Sequence, residues 1–114
     1  MLYSTGAGYY ARAIRKWLVM LVDEIDDMTS KSEMRKSVKR GNLREAMEEL
    51  RRVLILANMD DLADRAIEII RRLDELTGRI MVREGLYYQA MYIESVRHEI
   101  RELLEDVKKR TRKL

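Results

Sequence analysis

Cysteine, proline and phenylalanine are absent from this chain of 114 residues, which has only 5 glycines and a single histidine. Without cysteine there is no disulfide framework, no thiolate nucleophile and no cysteine-ligated zinc. Without proline, and with glycine rare, little in the sequence interrupts long helices. No run of about 18 apolar residues occurs, so no membrane span and no membrane partner is expected. The opening Met-Leu-Tyr-Ser-Thr-Gly-Ala-Gly lacks the basic-then-apolar order of a secretory signal, and a cytoplasmic location is the expectation. Side-chain amides are confined to Asn42, Asn58 and Gln89. So few thermolabile residues beside so many Arg, Lys and Glu is a thermophile's pattern.

What is present is charge and aliphatic bulk. Charged residues make up 38% and apolar residues 46%, with a net charge of +3. The charge density lies well above the average of about 25% for globular chains. The length fits one domain that buries roughly two thirds of its unfolded surface.

The periodicity is helical throughout, and the fold expected is all-α, a four- to five-helix bundle with a long C-terminal helix. Residues 1–7 read as a flexible arm and residues 8–114 as one helical-bundle domain. A first helix over 8–28 gathers Tyr10, Ile14, Trp17, Leu18, Leu21, Ile25 and Met28 on one face, with Arg12, Lys16, Asp23 and Asp27 opposite. Ser30 with Glu33 fits a capping box, and Gly41 fits the residue after a helix end, which predicts a short second helix between them. Asn42 with Glu45 opens a third helix running to about residue 58. Asp60 opens a fourth with Leu62, Ala66, Ile69, Ile70, Leu73 and Leu76 inside, ended by Gly78. Residues 79–112 then read as one long helix. Val82, Leu86, Ile93, Val96, Ile100, Leu103, Leu104 and Val107 form a stripe along it, and Ile80, Met81, Tyr87, Tyr88, Met91 and Tyr92 fall opposite. Residues 80–93 are thus apolar nearly all round and read as the centre of an assembly, from which 94–112 projects.

His98, with Glu94 and Glu102 one turn away and Glu105 beyond, reads as a wet helix face rather than a ligand set. Glu45-Ala-Met-Glu48 followed by Asp61-Leu-Ala-Asp64 resembles the all-α nucleotide pyrophosphatases of the MazG type, in which Glu-x-x-Glu and Glu-x-x-Asp on neighbouring helices hold magnesium. The resemblance covers about twenty residues, with Asp61 in place of the family's Glu. It implies a divalent-metal pyrophosphatase carried by those four carboxylates. Helical projection instead puts all four opposite the apolar stripes of their helices, aimed at solvent.

Two basic clusters stand out: Lys31, Arg35, Lys36, Lys39, Arg40 and Arg44 about the second helix, and Lys108, Lys109, Arg110, Arg112 and Lys113 at the end. Both suit sequence-tolerant contact with DNA or RNA phosphates. The acidic run Asp23, Glu24, Asp26 and Asp27 offers the first cluster internal partners instead. Val19, Met20, Ile55 and Leu56, with Tyr87, Tyr88, Met91 and Tyr92, are apolar residues in excess of one bundle core. Val19, Met20 and the tyrosine–methionine set form the expected oligomer interface. The function expected is a non-enzymatic, self-associating helical binding protein whose basic patches contact nucleic acid or a nucleoprotein partner. No cofactor, catalytic residue or small-molecule substrate is assigned. The pyrophosphatase, and a pure scaffold binding a partner helix through the tyrosine–methionine stripe, stand as alternatives.

Overall fold

The structure, a computed structural model, describes residues 2–83 and 85–114, with side chains from residue 8 onward. These residues form α1 (Leu2–Met28), α2 (Met34–Arg40), α3 (Asn42–Leu56), α4 (Asp60–Met81) and α5 (Leu86–Thr111), with no strand among them. The helix α1 begins upstream of residue 8, while the side chains of the expected arm at 1–7 lie outside the described residues.

The four long helices form an up-and-down ring. The helix α3 packs against α1 and α4, and α5 closes the ring by packing against α4 and α1. Antiparallel order follows from cross-helix bonds. The Arg65 side chain pairs with Asp106 and Arg72 with Glu99 across α4 and α5, while Trp17 Nε1 donates to Glu49 from α1 to α3 at 3.0 Å. The core is aliphatic: Leu18, Leu21, Ile25, Leu43, Met47, Leu50, Leu54, Leu62, Leu73, Leu76 and Ile100 are all essentially inaccessible. Each such side chain contributes roughly 1.5–3 kcal/mol through removal from water.

The short α2 crosses the end of the ring. It buries Met34, Ser37 and Val38 and stops at Gly41, whose φ of +79° lets its N–H donate to the Val38 carbonyl at 3.1 Å. The expected Ser30 capping box is replaced by a turn in which the Ser30 carbonyl accepts from Glu33 and Met34 N–H.

The expected helix over 79–112 is corrected. The helix α4 passes straight through Gly78 to Met81, and α5 begins only at Leu86, with Arg83 at φ +57°. The cause is Ile80, which follows Leu76 by one turn and is 8% exposed, so it extends α4's own apolar stripe. Its burial outweighs the ~1 kcal/mol that glycine costs a helix interior. With α4 ending at Met81 and α5 starting at Leu86, one helical phase cannot be carried from Val82 to Val107. Val82 and Leu86, expected inside, are 77% and 71% exposed. Of the half expected to project, 94–112, the part from Val96 on is packed in the ring, while Met81, Val82, Leu86, Tyr87, Tyr88 and Met91 are exposed at the protruding end. That end is bare because α1 stops short of it: Arg97 Nε donates to the Thr29 carbonyl at 2.7 Å, just past the end of α1. Leu86 lies 11 residues earlier on α5, about 16 Å further out. The molecule is accordingly a rod, 61 × 21 × 20 Å.

Gly78 and Gly41 give a paired test, since a Cβ at either meets nothing within 4 Å and only backbone conformation differs. Gly78→Ala should stabilise the fold by about 0.5–1 kcal/mol, and Gly41→Ala should destabilise it by roughly 1–2 kcal/mol. Urea denaturation measures both, and a destabilised Gly78→Ala would return a helix end to that position.

Candidate nucleic-acid interface

The seams between helices absorb much of the charge. Arg44 Nε donates to Asp74 at 2.6 Å and its Nη1 to Glu48 at 2.8 Å, joining α3 to α4. Across α4 and α5, Arg65 donates to Asp106 at 2.6 Å, and Arg110 grips both carboxylate oxygens of Asp61. Two expected phosphate ligands, Arg44 and Arg110, are therefore engaged within the chain, and Lys108 lies 3.4 Å from Glu105.

The rest of the first cluster is free. Lys31, Arg35, Lys36, Lys39 and Arg40 are exposed, and none has an ion pair among the described residues. The acidic run that offered them partners is turned elsewhere, with Asp26 3.9 Å from Arg101 of α5 and Asp23 in the groove between α1 and α5. Arg35 and Lys39 line a groove between α2 and α4 with Thr77, Ile80, Met81 and Arg83. Among the described residues that line it, three are cations and none is a carboxylate. Arg83 belongs to it because the chain leaves the helix after Met81, with Arg83 at φ +57°, which no local pattern announced.

At the opposite end, Arg15 of α1 joins Lys108 and Arg112 of α5 along one groove floored by Val19 and Val22. Arg12, Lys16, Lys109 and Lys113 are also exposed. Of the basic C-terminal cluster, Lys108 and Arg112 thus share a surface with α1. The Arg12–Arg15–Lys16 spacing was visible in the sequence, but only antiparallel packing of α1 on α5 brings it to the C-terminal lysines.

The apolar residues in excess of the core do not form one surface. Tyr87, Tyr88 and Met91 are 71%, 63% and 56% exposed at the protruding end. Val19 and Met20 are also exposed. Val19, however, lies beside Lys108, which follows Tyr88 by 20 residues of α5, about 30 Å. Tyr92 is engaged internally, its hydroxyl donating to Glu75 at 2.9 Å and its ring 4.5 Å from the Arg79 guanidinium.

The four carboxylates of the pyrophosphatase pattern do not converge. Glu45 lines the α1/α3 side, Glu48 accepts from Arg44 beside Asp74 at the α3/α4 seam, and Asp64 lines the α4/α5 side. Asp61 is held by Arg110 and stands 13 residues of α4 from Asp74, about 20 Å from the Arg44 end. These donors do not fit a shared magnesium ion, and among the described residues no group of three or more His, Asp or Glu is arranged to hold a metal. His98 is exposed and pairs with Glu102 at 2.8 Å on the wet face. No helix among the described residues is long and apolar enough to cross a membrane. Comparison with protein-family models, with curated proteins and with solved structures gives no match to this chain.

The seam carboxylates carry a pH signature. Hydrogen bonds from Arg110 and from Arg65 hold Asp61 and Asp106 below the usual carboxylate range, and Tyr92 followed by Arg79 does the same for Glu75. A carboxyl with a depressed folded pKa favours folding while ionised. Its contribution is complete above the ordinary range, about pH 4, and is lost as pH falls through and below it. Asp61→Asn with Asp106→Asn should therefore lower Tm at neutral pH and flatten its fall on acidification. An acid limb as steep as that of the native chain would contradict the assignment.

Proposed function

We propose that this chain is a non-enzymatic, self-associating helical binding protein that holds nucleic-acid backbones on the cationic surface around α2. The observation carrying this reading is the five exposed, unpaired cations Lys31, Arg35, Lys36, Lys39 and Arg40, in a fold that pairs many of its other arginines along the seams. Unpaired cations on a rigid helix cost nothing to desolvate from an internal partner and release counterions when they meet phosphates. Arginine side chains in the α2/α4 groove can also fork onto phosphate oxygens. Binding is electrostatic and tolerant of sequence, because nothing here offers an element shaped to read base edges.

The expected measurement is retention of duplex DNA at low salt that weakens steeply as salt rises. Each phosphate contact contributes nearly one unit to the log–log slope. Changing Arg35, Lys36, Lys39 and Arg40 together to Glu should remove most of the affinity and leave helical circular dichroism intact, since none of the four is in the core. No retention of DNA or RNA by the native chain at low salt would end this reading.

Self-association rests on a separate observation, the apolar end formed by Met81, Val82, Leu86, Tyr87, Tyr88 and Met91. A contiguous exposed surface of this kind is characteristic of a contact site. A second copy is the simplest cover, because a two-fold contact matches a surface to itself. Tyrosine suits it, with the ring covered and the hydroxyl wet. Tyr88→Glu with Met91→Glu should give a folded monomer by light scattering after size exclusion. A native chain that is monomeric at high micromolar concentration would refute the association.

A further inference from the structure

We infer that the α1/α5 groove holds a second phosphate backbone, so that one chain bridges two nucleic-acid segments. This rests on the binding reading above and extends it from one surface to two. The groove carries the same chemistry as the α2 end: Arg15, Lys108 and Arg112 face one carboxylate, Asp23, over a floor of Val19 and Val22. Neither Arg15 nor Arg112 has an ion pair among the described residues, so both guanidinium forks are available to phosphate oxygens. The apolar floor suits the sugar edge of a backbone seated on those cations.

The geometry decides between one segment and two. Along the axis, the groove lies level with the Asp61–Arg110 pair, and the α2 groove lies level with Ile80. These positions are 19 residues of α4 apart, about 30 Å. Around the axis, Thr77 and Met81 of the α2 groove share the α4 flank of Asp74, the flank that Arg44 ties to α3. The α1/α5 groove opens on the side of the ring opposite the α3–α4 pair. The two cationic surfaces therefore face away from each other at opposite ends of the four-helix ring, and a straight backbone seated in one does not reach the other.

The test separates bridging by one chain from bridging by an associated pair. The Tyr88→Glu, Met91→Glu chain, confirmed monomeric, is mixed at low salt with bead-bound duplex DNA and a second, fluorescent duplex. Capture of the fluorescent duplex is expected. Adding Arg15→Glu and Arg112→Glu should reduce that capture roughly tenfold or more while retention of protein on the first duplex persists through α2. Circular dichroism checks that each variant is folded. Protein retained on DNA without capture of the second duplex overturns the bridging inference and leaves the binding reading intact, as does capture by the native chain alone. No retention of any variant removes the binding reading itself, and bridging with it. If capture survives the Arg15/Arg112 reversal, the groove is not the second site. If polyglutamate displaces the Arg35→Glu, Lys39→Glu chain from DNA as well as competing duplex does, the groove belongs to an acidic protein and the inference fails.

Discussion

Burial of one apolar stripe, that of α4, sets the dimensions of everything else. Leu62, Ala66, Ile69, Leu73, Leu76 and Ile80 recur at helical spacing over the whole of α4 and are buried throughout. The stripe makes α4 the central partner of α3 and α5 and draws the helix through Gly78. It also carries α4 past the level at which α1 stops. The overhang exposes Tyr87, Tyr88 and Met91, and it gives α2 a flank of α4 on which to rest. The basic groove at that end and the apolar tip beside it are both consequences of α4 running past the level at which α1 ends.

Charge is sorted by the same architecture. Arginines along the seams meet carboxylates of the facing helix: Arg44 with Asp74, Arg65 with Asp106, Arg72 with Glu99, Arg110 with Asp61. Such exposed pairs contribute little individually, and their effect is to fix which helix faces which. Away from these seams fewer carboxylates face the cations: those of α2 have no ion pair among the described residues, and in the α1/α5 groove Arg15, Lys108 and Arg112 face only Asp23. A modest net charge of +3 thereby produces two local cationic surfaces.

The amphipathic stripe of α4, that of α1 except at Tyr10 and Trp17, which are exposed, and the glycine stop at Gly41 could be read directly, because each depends on neighbours one turn away. Gly78 could not, since the same residue serves as a stop or passes unnoticed according to whether the next apolar residue finds a core. That single misplacement turned the exposed end at 81–91 into an expected centre. The carboxylates of Glu45, Glu48, Asp61 and Asp64 were expected to point to solvent, and they lie on separate sides of the bundle. The union of Arg15 with Lys108 and Arg112, and of Arg83 with Arg35 and Lys39, is tertiary information that no spacing within one helix carries.

Amide chemical-shift mapping during titration with duplex DNA at low salt tests the central proposal most directly. Perturbations should concentrate on α2, on Arg83 and on the flanks of the α1/α5 groove around Arg15 and Arg112, and they should leave Leu50, Leu73 and Ile100 of the core unmoved. Perturbations confined to Tyr87, Tyr88 and Met91, or none at all, would contradict a backbone held by the two cationic surfaces.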